Sequence, residues 1–346
     1  MSPRPTRTVT GPEVAARHGT ALRVRGLDVT FTTRRGDVPA VRGVDLDVAA
    51  GEVLVLLGES GSGKSVTARA VMGLLDGGNV QVRADRIEVA GHDVATGDPD
   101  HVRTLRGSTM ALVFQDALSA LNPVLSIGDQ LGEVFRLHRG ASRRAARAEA
   151  VELLRLVGIP APDRRVRDFP HQFSGGMRQR ILIAMAVALG PRLLIADEPT
   201  TALDVTVQAQ ILDLIDRLRQ ELGMGVLLIT HDLGVAAELA DRVAVMYAGR
   251  IVETGTVADT LDHPAHPYTA ALLRSVPDLL DPGEPLRPIP GSPPNLLALP
   301  DGCAFHPRCA RADDRCRASR PPRRPLTGPD RTVACHHPEE DADAAV

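Results

Sequence analysis

Short, continuous apolar runs alternate along the chain with longer segments in which apolar residues recur every three or four positions. The runs at 53–57, 193–196 and 226–230 are typical of strands buried on both faces of a parallel sheet. Between the second and third runs lies a segment predicted to be a helix that ends at Gly223. Its apolar face consists of Val207, Ile211, Ile215, Leu218 and Leu222. This alternation predicts an α/β fold.

A further helix is predicted to begin near Ser142 and to end at Gly158. The longest apolar run, 181–189, is about half as long as a membrane-spanning helix needs to be. Residues 1–20 contain charges and prolines but no apolar segment of the kind found in signal peptides, so we expect a disordered lead-in. Together these features predict a soluble chain in the cytoplasm.

Composition narrows the class of protein. At 346 residues the chain is long enough for about two domains. Its net charge is −3, and acidic and basic residues are interleaved, which argues against a general nucleic-acid-binding protein or a polybasic membrane anchor. Among 40 basic residues Lys64 is the single lysine, which indicates that this position needs a compact ammonium group.

The sequence around Lys64 explains that need. Residues 58–65, GESGSGKS, match the phosphate-binding motif G-x-x-x-x-G-K-[ST] and lie between a predicted strand and a predicted helix. A glycine-rich turn that matches the motif by chance explains this combination much less well. Glycine backbone angles turn successive N–H groups toward a phosphate, and the helix N-terminus adds its dipole. We expect Lys64 at the β- and γ-phosphates and Ser65 on Mg²⁺. The predicted phosphate-binding residues are Gly58, Ser60, Gly61, Ser62, Gly63, Lys64, Ser65 and Val66.

Two other strands end in residues with suitable chemistry. Asp197 and Glu198 follow the run at 193–196, and His231 follows the run at 226–230. Ligands bind at this edge of open α/β sheets. We expect Asp197 near Mg²⁺, Glu198 as the base that polarises the attacking water, and His231 at the γ-phosphate. Taken alone, the Asp197–Glu198 pair could also be a helix cap, and His231 could be a histidine of the core.

With these motifs in order, the chain resembles the ATP-binding subunit of an ABC transporter from about residue 21 to residue 335. The sequence FSGGMRQR, with Met177 in place of the usual glutamine, resembles the signature motif that completes the ATP site of the facing subunit. The resemblance implies roles for Ser174, Gly175 and Gly176 in the signature, Gln115 in the Q-loop on Mg²⁺ and water, Asp204 in the D-loop, and His231 as the switch histidine. Phe31 is a candidate to stack on adenine, with core packing as the alternative.

The segments HPYTAALL and IPGSPPNLLALPDGCAFHPRC are similar to those of the oligopeptide/dipeptide importer ATPases, although Ala117 replaces a usual proline. The resemblance implies a P-loop NTPase of the ABC ATPase type, with a RecA-like core, an antiparallel β subdomain and a helical subdomain. The implied domains are a nucleotide-binding domain at 21–258, with its helical subdomain at about 116–175, and a C-terminal extension at 259–346.

The same resemblance implies an ATPase that powers import of peptides or a related solute. The expected partners are a second ATPase subunit, favouring a heterodimer, two membrane permease subunits and an extracytoplasmic solute-binding protein, with no nucleic acid. The chain would then lie peripherally on the cytoplasmic face of the membrane. The sequence does not identify the cargo.

All four cysteines lie in the last 44 residues, at Cys303, Cys309, Cys316 and Cys335. In a reducing compartment such a group favours metal ligands over disulfides. The gaps of five, six and eighteen residues leave zinc and an iron–sulfur cluster open. The resemblance favours a [4Fe–4S] cluster, with His306 and His336 as less favoured replacement ligands.

The sequence is also compatible with a second class of function, that of an ABC-type ATPase that acts on DNA through a zinc-binding tail. Between the first and last cysteines lie eight arginines and three aspartates, an excess of positive charge that could contact phosphates. The acidic segment PEEDADAAV that follows opposes DNA binding.

Overall fold

The computed structural model describes residues 19–75, 77–115, 120–201, 203–275, 288–328 and 330–339. The first strand begins at Thr20, so the predicted disordered lead-in is replaced by strand at its last residue, while 1–18 lie outside the described residues. Ala117 and the acidic end of the chain from 340 onward also lie outside them.

The strands and helices follow one another as an α/β sequence. The strands are β1 Thr20–Thr33, β2 Gly36–Ala49, β3 Val53–Leu57, β4 Val80–Arg83, β5 Arg86–Val89, β6 His92–Asp93, β7 Met110–Val113, β8 Leu193–Asp197, β9 Gly225–Thr230, β10 Arg242–Tyr247, β11 Arg250–Thr256, β12 Arg324–Pro325 and β13 Thr332–Val333. The helices are α1 Lys64–Val71, α2 Pro99–Leu105, α3 Ile127–Arg139, α4 Arg143–Leu156, α5 Pro162–Arg165, α6 Gly175–Val187, α7 Val205–Leu222, α8 Leu233–Leu239, α9 Pro267–Leu273 and α10 Asp314–Ala318.

Two sheets organise the fold. The larger has the strand order β12-β13-β11-β10-β3-β9-β8-β7, in which the five strands from β10 to β7 run parallel. The smaller is antiparallel, with the order β2-β1-β5-β6 and β4 also paired with β1. The predicted α/β fold with an antiparallel β subdomain is confirmed.

The parallel strands are apolar throughout because both of their faces are covered. In β3, Val53, Val55 and Leu57 pack into a core shared with α3, α4, α6 and α7. Leu54 and Leu56 point the other way, into a core shared with β1, β2, β5, α1 and α2. The central sheet is thus sandwiched between a helical layer and the antiparallel sheet, and the carboxyl ends of β3, β8 and β9 open at one edge.

The predicted helices form with the predicted ends. The Ser142 hydroxyl accepts a hydrogen bond from the Ala145 N–H and caps α4. Gly223 adopts a left-handed conformation after α7. Leu222, predicted on the buried face of α7, is instead 37% exposed because the helix ends there. Within the described ranges, no helix combines the length and apolar composition needed to cross a membrane.

The C-terminal segment returns to the main sheet. After the antiparallel hairpin of β10 and β11, α9 packs beside the sheet, and β13 then pairs with β11 through Glu253 opposite Val333. The predicted boundary at residue 258 therefore separates segments that share a sheet.

Candidate functional site

In the loop between β3 and α1, two of the glycines combine conformations that side chains rarely adopt with close approach to neighbouring backbone. Gly58 has a φ of 154° and Gly63 a φ of 109°. A Cβ atom at Gly58 would lie 2.2 Å from the Met246 carbonyl oxygen, and one at Gly63 would lie 2.5 Å from the Ala40 carbonyl oxygen. The loop is therefore packed against the neighbouring backbone and holds a fixed path.

Lys64 occupies the start of α1 and is only 5% exposed. Its Nζ donates hydrogen bonds to the carbonyl oxygens of Gly58, at 2.7 Å, and Glu59, at 3.0 Å. Burial lowers the pKa of Lys64, while the charges of Glu198, Asp197 and Glu59 oppose that change. The site thus holds a buried ammonium among carboxylates.

The next residue reaches a carboxylate from another strand. The Ser65 hydroxyl donates to Asp197 Oδ1 at 3.0 Å. Burial raises the pKa of Asp197, against the hydrogen bond from Ser65. A hydroxyl and a carboxylate in contact form an oxygen donor set of the kind that Mg²⁺ prefers.

Glu198, directly after β8, is the centre of the site. It has a φ of 48°, an uncommon conformation for a residue with a side chain. Its Oε2 accepts hydrogen bonds from Gln115 Nε2 and from the Thr201 hydroxyl, both at 2.9 Å. The Nδ1 atom of His231 lies 3.4 Å from its Oε1. The structure thus brings the predicted Gln115, Glu198 and His231 together, and it adds Thr201, whose place in the TALD segment was a usable signal.

A cleft of about 1080 Å³ is lined by Lys64, Ser65, Gln115, Glu198, Thr201 and His231. Of the predicted phosphate-binding residues, all except Ser62 line it, and Ser62 is buried beneath the loop. The sequence motifs did not predict that the C-terminal segment forms another wall of this cleft. Its lining residues include Leu272, Ile289, Pro293, Leu296 and Arg308.

Six other residues predicted for the nucleotide site do not line this cleft, and one of them is Asp197, which contacts Ser65 from β8. Phe31 is partly buried and packs against the core of the antiparallel sheet. The Ser174 hydroxyl caps α6 by accepting from the Met177 N–H, and Ser174 and Gly175 are exposed. Asp204 caps α7, with Oδ1 accepting from the Val207 N–H at 2.9 Å. Gly176, in α6, packs closely against α7, because a Cβ atom at Gly176 would lie 2.5 Å from Val207 Cγ1.

The four cysteines gather beside the N-terminus of α9. All four are free thiols, and together they line one small cavity. The Cys303 N–H donates to the Cys316 carbonyl oxygen at 2.8 Å. Burial raises the pKa of each thiol, that of Cys335 to about 12. Neutral thiols in this setting would become thiolates on binding a cation.

Two polar residues beside the cysteines, Asp313 and His337, were not predicted. Asp313 accepts the Cys316 N–H at 2.9 Å through Oδ1, and its Oδ2 lies 2.9 Å from His337 Nε2. The two histidines weighed as replacement ligands have other contacts. His306 Nδ1 lies 2.9 Å from the Cys303 carbonyl oxygen, and His336 Nε2 lies 3.0 Å from the carbonyl oxygen of Ser319.

Comparison with known proteins gives the site its context. The family described as "ABC transporter" matches residues 41–201, and the family described as "Oligopeptide/dipeptide transporter, C-terminal region" matches residues 252–316. The chain is 52% identical to the dipeptide transport ATP-binding protein DppD of Bacillus subtilis, over 83% of this chain and 86% of that protein. It is 46% identical to the oligopeptide transport ATP-binding protein OppD of Escherichia coli, over 96% of this chain and 98% of that protein.

Solved structures agree with these relatives. The dimeric bacterial ABC transporter cassette MJ0796 superposes with a TM-score of 0.61 and 27% identity, over 68% of this chain and 98% of that chain. These relatives are named as transport ATP-binding proteins, which favours transport over the alternative of an ATPase acting on DNA. The chain belongs to the ATP-binding subunits of ABC transporters, in the oligopeptide/dipeptide importer family, which couple ATP hydrolysis to transport.

Proposed function

We propose that the cleft at the ends of β3, β8 and β9 binds MgATP and hydrolyses it. The observation that carries this proposal is the presence in one cleft of a buried ammonium, Lys64, and a carboxylate, Glu198, contacted from two other segments. Lys64 would contact the β- and γ-phosphates, and backbone N–H groups of the loop, among them those of Gly61 and Gly63, would surround them.

The Ser65–Asp197 contact fits a magnesium site. Ser65 would supply a hydroxyl ligand, with Asp197 and Gln115 as further oxygen donors. Mg²⁺, when bound, neutralises phosphate charge.

Glu198 is the proposed general base. A carboxylate oxygen of Glu198 takes a proton from the water that attacks the γ-phosphorus atom. The bond from that phosphorus to the oxygen it shares with the β-phosphate breaks, and ADP leaves. Gln115 and Thr201 hold that carboxylate by hydrogen bonds, and His231 stands beside it to contact the γ-phosphate.

Lys64→Ala tests nucleotide binding directly. Loss of the buried cation is expected to weaken MgATP binding by at least about tenfold in equilibrium titration. Arg103→Ala is the matched control, because it removes one positive charge from an exposed side chain outside the cleft. Equal MgATP affinity of Lys64→Ala and the wild type would refute the proposal.

The exposed position of Ser174 and Gly175 supports a second part of the proposal. Together with Gly176 and Asp204, they would complete the ATP site of a facing ATPase subunit. We propose a heterodimer that binds two membrane permease subunits on the cytoplasmic face of the membrane and receives cargo from an extracytoplasmic solute-binding protein. The names of the relatives support di- or oligopeptides as the cargo.

The four cysteines form the basis of a separate proposal, a [4Fe–4S] cluster held by Cys303, Cys309, Cys316 and Cys335. A tetrahedral zinc site with Zn–S bonds of about 2.3 Å places its sulfur atoms about 3.8 Å apart. In the described part of the chain, the cluster of potential ligands whose atoms all lie within 4.8 Å of one another is Asp313, Cys316 and His337, not a set of cysteines. No three of the four cysteine sulfurs, all within the described residues, form such a compact group, and this supports the larger centre.

Metal analysis tests this centre. Anaerobically purified protein is expected to be brown and to contain about four iron and four sulfide per chain, and Cys316→Ser is expected to lower both. Colourless protein with one tightly bound zinc would refute the cluster, as would unchanged iron content in Cys316→Ser.

A further inference from the structure

The second residue of the phosphate loop, Glu59, is held by side chains from the C-terminal segment. Its N–H donates to the Tyr268 hydroxyl at 2.9 Å. Its carboxylate accepts two hydrogen bonds from Arg308, from Nη1 at 2.7 Å and from Nη2 at 3.0 Å. Its carbonyl oxygen accepts the 3.0 Å bond from Lys64. Every polar backbone and side-chain group of Glu59 is therefore occupied.

Arg308 is itself firmly placed. Its side chain is 5% exposed, and its Nε donates to the Pro290 carbonyl oxygen at 2.9 Å. Its guanidinium lies 5.9 Å from the centre of the Tyr247 ring, and Nη1 lies 3.4 Å from the Tyr247 hydroxyl. The paired Glu59 carboxylate raises the pKa of Arg308 further, so this cation is permanent. A two-bond arginine–carboxylate pair fixes both distance and orientation.

The Glu59 carboxylate lies near the proposed phosphate site, and Arg308 neutralises its negative charge. The charge of the Glu59 carboxylate is one of those that oppose the lowering of the Lys64 pKa by burial. An uncompensated negative charge there would repel the triphosphate that Lys64 is proposed to bind. Arg308 balances that charge and is one of the residues that line the cleft.

We propose that Arg308 is a positioning residue of the nucleotide site, which neutralises Glu59 and, with Tyr268, fixes the path of the phosphate loop. The inference rests on the proposed binding of MgATP in this cleft. It makes the C-terminal segment, 249 residues away along the chain from Glu59, a working part of the ATP site. Because Cys309 follows Arg308 directly, the same segment connects the cysteine centre to the loop.

MgATP titration of full-length variants tests this role. Arg308→Ala is expected to weaken MgATP binding by about tenfold, the effect of exposing one charge beside a charged ligand. Adding Glu59→Gln to Arg308→Ala removes the exposed charge, and the double variant is expected to bind MgATP at least about threefold more tightly than Arg308→Ala alone. A merely structural role for Arg308 predicts no such rescue.

Arg311→Ala is the matched control, since Arg311 forms an ion pair with Glu339 in the same segment and does not line the cleft. Its MgATP affinity is expected to equal that of the wild type. If Arg308→Ala does not fold, Arg308→Lys keeps the charge but not the two-bond geometry, and its affinity is expected to lie between one-tenth and one-half of wild type.

The results separate this inference from the proposed function. Wild-type protein that fails to bind MgATP would refute the proposed function itself. Wild-type binding with an unchanged affinity in Arg308→Ala, or in Arg308→Lys where that variant is used, would overturn only the role of Arg308. So would a double variant that binds no more tightly than Arg308→Ala.

Discussion

At the scale of single residues, the sequence reveals local motifs but not contacts between distant residues. Lys64 and Ser65 could be predicted because the chemistry of a phosphate loop needs neighbouring residues at fixed spacing. Glu198 and His231 could be predicted as strand-end residues. The pairing of Glu59 with Arg308 could not, since no local pattern records a contact between residues so distant in the chain.

Glu253 is a further residue whose chemistry depends on tertiary packing. It is 1% exposed, and its carboxylate accepts the N–H groups of Ala265 at 2.7 Å and His266 at 2.9 Å. Burial raises the pKa of Glu253 to about 7, although these hydrogen bonds and the charge of Arg331 lower it. The folded state therefore holds this proton more tightly than the unfolded chain does.

This difference predicts a pH dependence of stability. The unfolded carboxyl has a pKa of about 4.3. The contribution of Glu253 to the free energy of unfolding therefore falls as pH rises from about 4.3 to about 7, by roughly 4 kcal/mol. Urea denaturation across this range should show a smaller loss with rising pH in Glu253→Gln than in the wild type. His266 titrates in the opposite sense but is common to both proteins. Parallel pH profiles of the two proteins would contradict the assignment.

At the scale of elements, periodicity predicted the buried core well. The strands β3, β8 and β9 and the helices α4 and α7 form where the apolar pattern placed them. The two-residue strands β12 and β13 could not be predicted, because nothing in their sequence is periodic and they form only by pairing with β11. The antiparallel sheet was expected from the family resemblance rather than from its own pattern.

Helix α7 offers a matched test of core packing with one residue type. Leu218 is fully buried, whereas Leu222, at the end of the same helix, is 37% exposed. Leu218→Ala is expected to lower the free energy of unfolding by about 2–5 kcal/mol, since it leaves a cavity in the helical layer. Leu222→Ala should cost less than about 1.5 kcal/mol. Chemical denaturation measures both, and equal losses would contradict the described packing of α7.

At the scale of the whole molecule, the exposed signature residues predict an effect across subunits. Ser174→Asp keeps an N-cap for α6 but adds a negative charge where the facing subunit's phosphates are proposed to bind. In mixed complexes, this variant should slow hydrolysis at the site whose phosphate loop belongs to the other subunit. Ser142→Asp, at the N-cap of α4, is the control. Damage confined to the variant chain's own phosphate-loop site would contradict the shared-site arrangement.

The central claim is that Glu198 activates water in a cleft that binds MgATP, and single-turnover hydrolysis tests it most directly. Phosphate release from bound MgATP would be followed for wild type and Glu198→Gln, in the purified chain and in the complete transporter. Glu198→Gln is expected to retain MgATP binding and to hydrolyse it about 10²- to 10⁴-fold more slowly, the scale for loss of a positioned general base. Hydrolysis by Glu198→Gln at a rate near that of the wild type would contradict the account.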